Sequence, residues 1–94
     1  MNRKTFFCDI DCTVSDYRRK LLDLGEKALR SVEGDRVAES YKAAFWRTMR
    51  KCAQSFPAEI WADIYMETTC HLRLNYGTIL MNWLLDDEDT NLSA

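Results

Sequence analysis

Residues 57–85 read PAEIWADIYMETTCHLRLNYGTILMNWLL, and the parsing of this stretch decides the architecture. Trp61, Ile64, Tyr65, Thr68, Leu72, Tyr76, Ile79 and Trp83 recur with helical period on one face. Asn75-Tyr76-Gly77 looks like a break, and Thr78 can cap a fourth short helix. Yet the stripe keeps its phase across Gly77, and a glycine inside a helix costs only about 1 kcal/mol relative to alanine. The spacing therefore favours one helix of about 28 residues, roughly 42 Å long at 1.5 Å per residue. A break at Gly77 is the alternative.

The preceding sequence carries two further helical patterns. In residues 13–33, Val14, Tyr17, Leu21, Leu24, Ala28 and Val32 form a single stripe. Thr13-Val-Ser-Asp16 is a capping-box start with Thr13 as N-cap, and Gly34 is a natural left-handed stop. In residues 36–55 the stripe is Val37, Tyr41, Ala44, Phe45, Thr48, Cys52 and Phe56, with Asp35 as N-cap. Arg36, Arg47 and Arg50 fall on the opposite side. Pro57 ends this helix and can open the next as its first residue.

Composition agrees with a helical domain. Among the 94 residues, 47% are hydrophobic and 30% charged, with one proline and three glycines. This is too apolar for a disordered tail and too poor in turn formers for a sandwich of short strands. The length implies one domain with a thin core. The longest uncharged run, outside Arg73, is 74–85, too short to span a bilayer, and no membrane partner is expected. The start, MNRKTFFCD, lacks a signal-peptide pattern. An intracellular protein, cytoplasmic or nuclear, is therefore expected, with Cys8, Cys12, Cys52 and Cys70 as reduced thiols.

Charge is unevenly spread. Residues 1–56 hold 12 Lys/Arg and 8 Asp/Glu, a net +4, whereas residues 57–94 hold one Lys/Arg and 7 Asp/Glu, a net −6. Such polarity suits association with a second copy or a partner, and argues against non-specific nucleic-acid binding. A basic, aromatic patch from Arg18-Arg19-Lys20 with Trp46, Arg47, Arg50 and Lys51 is the nucleic-acid or nucleotide-binding alternative.

Residues 5–12 are ambiguous between strand and helix: Phe6, Cys8, Ile10 and Cys12 alternate with Phe7, Asp9 and Asp11, while Phe6 and Ile10 also continue the first helical stripe. The run Phe6-Phe7-Cys8-Asp9-Ile10-Asp11-Cys12-Thr13-Val14 resembles the first motif of the haloacid-dehalogenase-like phosphatases, an apolar strand followed by D-x-D-x-[TV]. The resemblance covers about nine residues, with Cys12 where that family usually has glycine. It implies Asp9 as the nucleophile that is phosphorylated, Asp11 as general acid/base and Mg²⁺ between them. Leu84-Leu85-Asp86-Asp87 is a weaker echo of the family's acidic last motif. The family is built on a doubly wound parallel sheet, and no second strand pattern is visible here. A phosphoryl-transfer fragment is therefore the enzyme-class alternative, and not the leading expectation.

Other chemistry has less support. Cys8 and Cys12 with Cys52, Cys70 or His71 do not have the paired knuckle spacing of a zinc site, so no metal or other cofactor is expected. With His71 as the single histidine, a nucleophilic triad would have to use it.

The leading expectation is an all-α antiparallel three-helix bundle, or four helices if the chain breaks at Gly77. It has an N-terminal segment 1–12, a bundle over 13–86 and an acidic, disordered tail over 87–94. The expected function is non-catalytic protein–protein contact, as an adaptor, complex subunit or inhibitor-type binder, with a homodimer as one form. Trp46 and Met49 flank the second stripe, and Met66 and Cys70 lie on the outer side of the third helix. Leu80, Met81, Leu84 and Leu85 form an apolar collar beside Trp83. Three helices cannot cover all of these, so Trp46, Met49, Leu80, Met81, Trp83, Leu84 and Leu85 are the expected partner-binding residues.

Overall fold

A computed structural model describes residues 13–34 and 36–86. Four helices make up the described fold: α1 (Val14–Ser31), α2 (Ala38–Ser55), α3 (Ala58–Tyr76) and α4 (Thr78–Leu85). No strand occurs among the described residues, and the fold is an all-α antiparallel bundle. Helix α1 is the hub. It packs most extensively on α2, next on α3, and also touches α4.

Helix α1 starts where the capping box places it. Thr13 Oγ1 accepts from the Asp16 amide at 3.2 Å, and Asp16 Oδ2 accepts from the Thr13 amide at 3.0 Å. Two orphan N–H groups of the first turn are thereby satisfied. The Thr13 backbone donor, with the Thr13 hydroxyl and Arg19, holds the Asp16 carboxyl below its usual range, against the opposing effect of desolvation.

The helix boundaries depart from the sequence signals in three places. Helix α1 ends at Ser31, with Val32 still in right-handed geometry, and Gly34 does not take the left-handed conformation expected of a stop. Helix α2 begins at Ala38 with Val37 at its N-cap, so the cap is not Asp35, which lies outside the described residues. Pro57 sits at the N-cap of α3 and not inside the first turn. Its carbonyl accepts from the amides of Ile60 and Trp61 at 3.0 and 3.1 Å.

The larger correction concerns the third helix. The chain breaks at Gly77, whose φ of 92° and ψ of 162° are a conformation essentially reserved for glycine. The continuous 28-residue helix is therefore replaced by two helices. The phase of the stripe does not survive the break. Ile79, expected on the inner face, is 84% exposed, while Met81 and Leu84, expected on the outer collar, are fully buried. The segment is apolar nearly all round, so its own pattern specifies no inward direction; packing against α1 and α3 does.

The core comprises Leu21, Ala28 and Leu29 of α1, Phe45, Trp46, Met49 and Cys52 of α2, Ile64 and Leu72 of α3, and Met81 and Leu84 of α4. Gly25 is buried where α1 and α3 approach closely; a Cβ there would lie 2.5 Å from Leu72 Cδ1. Trp46 ties α2 to α4 by donating from Nε1 to the Leu84 carbonyl at 2.9 Å, inside the core. Its ring also meets Phe45 edge-on at 5.3 Å and lies 6.2 Å from Tyr65.

Candidate functional site

Four of the seven residues expected to bind a partner are interior. Trp46 is 2% exposed and Met49, Met81 and Leu84 are fully buried, so their side chains are not on the surface of the folded chain. The physical reason is the fold-back at Gly77, which lets α4 cover the side of α2 that three straight helices would have left open. Leu80, Trp83 and Leu85 are half-buried and packed against the core. Lys42 Nζ lies 4.8 Å from the Trp83 ring centroid and covers part of that ring.

The exposed apolar surface is elsewhere. On α3, Ala58, Ala62, Met66, Cys70 and Leu74 recur at a strict spacing of four, and all five are exposed. Met66 is 61% and Leu74 88% exposed, and Ile79, in the first turn of α4, is also exposed. Residues spaced by four form a ridge inclined across the helix surface, the element that packs into a groove of a neighbouring helix. The adjacent ridge, one residue along, is Glu59, Asp63 and Glu67, all exposed. The outer side of α3 thus presents an apolar ridge beside an acidic one.

The sequence signal for this face was present but masked. Met66 and Cys70 fall outside the stripe, but the inner row of aromatic and branched residues is stronger, and the outer row begins with two alanines. The periodicity points Ile79 inward, through a phase that the break cancels.

Beside this ridge, a cleft of about 330 Å³ between α1 and α3 is lined by Arg18, Leu22, Glu67, Thr68 and His71. Arg18 Nε lies 2.6 Å from Glu67 Oε1, but its N–H is not aligned on that oxygen, so the contact is an ion pair without a formed hydrogen bond. Both side chains are well exposed, which limits the pair to about 1 kcal/mol or less. The Thr68 hydroxyl is buried with no hydrogen-bond partner. A second cleft, lined by Leu22, Asp23, Glu26, His71 and Leu72, adjoins the first. His71 is exposed and not partly buried at the stripe edge. Tyr76 keeps its proton to higher pH than usual, chiefly because it is partly buried, with the Glu26 carboxylate acting in the same direction.

The basic, aromatic patch is only partly assembled. Lys20 and Lys51 line a small cleft between α1 and α2 with Asp16, Tyr17 and Thr48. Trp46 is in the core and offers no stacking face, Arg18 is paired with Glu67, and Arg19 donates to Asp16 at 2.8 Å. Among the described residues, no group of three His, Cys, Asp or Glu could hold a metal ion. Cys52 is buried, which pushes its thiol up to about 11, while Cys70 is exposed. Asp9, Asp11, Cys8 and Cys12, and the strand-or-helix ambiguity of 5–12, lie outside the described residues, as does the tail 87–94. Asp86 caps the end of a helix and does not follow a strand. No helix among the described residues is long and apolar enough to cross a membrane.

Comparison with known proteins adds no relative: no family model, no curated protein and no solved structure matches this chain.

Proposed function

We propose that this chain is a non-catalytic protein–protein interaction module that binds another polypeptide through the outer face of α3 and the adjoining start of α4. The observation that carries this reading is the ridge Ala58, Ala62, Met66, Cys70 and Leu74, exposed along its whole length, with Ile79 exposed two residues past the Gly77 break. Covering a fully exposed leucine or methionine side chain contributes about 1.5–3 kcal/mol. Leu74, Ile79 and Met66 are the most exposed large apolar side chains among the described residues. The surface that supports the reading therefore lies around Met66, Leu74 and Ile79, and not on the collar first expected.

The test uses the chain recovered from the cells that make it. It should migrate in size-exclusion chromatography as part of a complex larger than its own 11.0 kDa. The double variant Met66→Glu/Leu74→Glu should run as the free chain with its helical circular dichroism intact, because both side chains are exposed. Lys51→Glu, in the cleft between α1 and α2, should leave the complex in place. A wild-type chain that already runs alone, or a complex that survives the double variant, would overturn the proposal.

A further inference from the structure

Resting on that interaction reading, we infer that the partner presents a basic amphipathic helix, which lays an apolar ridge into the groove between the two outer rows of α3 and sets its Lys or Arg residues against Glu59 and Asp63. Three observations converge on this chemistry.

The first is the pairing of rows. Ala58, Ala62, Met66, Cys70 and Leu74 run beside Glu59, Asp63 and Glu67, so one groove has an apolar wall and an acidic wall. Two ridges spaced by four interlock at a crossing angle of about −50°, the commonest helix–helix geometry. The alanines at 58 and 62 let a second helix approach closely at one end, and Met66, an unbranched and adaptable side chain, sits at the middle.

The second is the state of the charges. Glu67 is held by Arg18 at 2.6 Å, whereas neither Glu59 nor Asp63 has an ion-pair partner among the described residues. Arg73 is the single Lys or Arg in residues 57–94, so nothing else on this element balances the acidic row.

The third excludes the obvious alternative occupant, a second copy seated α3 on α3. Two antiparallel helices related by a twofold axis carry corresponding rows on the same flank. Glu59, Asp63 and Glu67 of one copy would face the same acids of the other, and like charges set against one another oppose such a pair. A parallel pair, closed by a twofold along the helices, would set those acids against the opposite flank of the other copy, the row Trp61, Tyr65, Thr69 and Arg73, in which Arg73 is the single cation. A helix bearing Lys or Arg on that flank turns the same geometry into attraction.

The experiment uses the purified full chain and synthetic helical peptides of five turns, about 18 residues at 3.6 per turn. The peptides share one leucine ridge and differ in flanking charge: all Lys/Arg, or all Glu. In fluorescence anisotropy at low salt, the basic peptide should bind at least about tenfold more tightly than the acidic one. Glu59→Lys/Asp63→Lys should abolish or invert that preference. Met66→Ser/Leu74→Ser should weaken the basic peptide by about tenfold while leaving the charges unchanged. Equal binding of both peptides, or a preference untouched by reversing residues 59 and 63, would overturn the inference. So would binding that ignores the Met66 and Leu74 substitutions, since the basic peptide would then be clinging to acidic surface alone. A purified chain that dimerises through Met66 and Leu74 would overturn it in favour of self-pairing. If the native complex dissociates with Met66→Glu/Leu74→Glu but the peptides show no charge preference, the interaction reading stands and this inference alone falls.

Discussion

Thr68 carries the least comfortable atom of the described fold. Its hydroxyl is buried and lacks a hydrogen-bond partner, in a helix whose neighbours Ile64 and Leu72 are wholly apolar. Leaving a buried polar group unpaired costs about 1–3 kcal/mol, and replacing it with a methyl of similar size removes that cost. Thr68→Val should therefore stabilise the chain by about 1 kcal/mol, read as a rise in the urea midpoint with an unchanged slope. A loss of stability would show that the hydroxyl has a partner after all, most simply a water in the cleft beside Arg18 and His71. The sequence placed Thr68 correctly on the inner stripe through its spacing from Ile64 and Leu72. It did not reveal the orphaned oxygen, because a threonine on a buried stripe ordinarily finds an acceptor within its own helix.

At the scale of the element, Gly77 decides the architecture. Its φ of 92° is the only positive value among the described glycines, and a Cβ there would meet nothing within 4 Å. The requirement for glycine is thus conformational and not steric. Gly77→Ala should cost about 1–3 kcal/mol in the broken conformation, while in a continuous helix alanine gains about 1 kcal/mol over glycine. Both effects push the same way, toward a straight α3–α4 helix that would pull Met81 and Leu84 out of the core. The expected result is a destabilised chain with helicity retained and the Trp46 indole N–H signal in NMR moved from its buried, hydrogen-bonded position. An unchanged indole signal together with unchanged stability would mean that the break is not held by Gly77. The two readings of residues 57–85 were both legible in sequence; local propensity tipped the choice the wrong way, because it counts the cost of a glycine in a helix but not the burial gained by turning.

Across the whole molecule, Trp46 joins parts of the chain that local pattern cannot connect. Its Nε1 donates to a carbonyl 38 residues away, and its ring fills the space between α2, Tyr65 of α3 and the end of α4. Trp46→Phe leaves the Leu84 carbonyl without this donor and opens a void beside it. The combined cost should be about 2–4 kcal/mol, a large share of the stability of a domain this small. Urea unfolding followed by circular dichroism checks the magnitude, and a loss below about 1 kcal/mol would mean that α4 is anchored by apolar contact alone. The outer side of α3 is uncovered whichever way α4 turns, because it lies opposite the inner row Ile64, Thr68 and Leu72; the turn decides the fate of Ile79.

Several features of this protein were set by local sequence alone: the helical class, the start of α1 at Thr13, the stop before Pro57 and the inner stripes of α1 and α3. Each rests on interactions within a few residues, such as a capping box, a missing backbone N–H or an apolar face with only one side. Tertiary structure decided the rest. Residues 79–85 are apolar in every direction, and α2 has apolar residues on two adjoining faces, so neither has a single preferred inward side until its neighbours are in place. With α4 turned at Gly77, Met81, Leu84, Trp46 and Met49 are in the core and Ile79 is on the surface. Burial is a property of the packed molecule, and a segment's own periodicity specifies it only where one face alone is apolar.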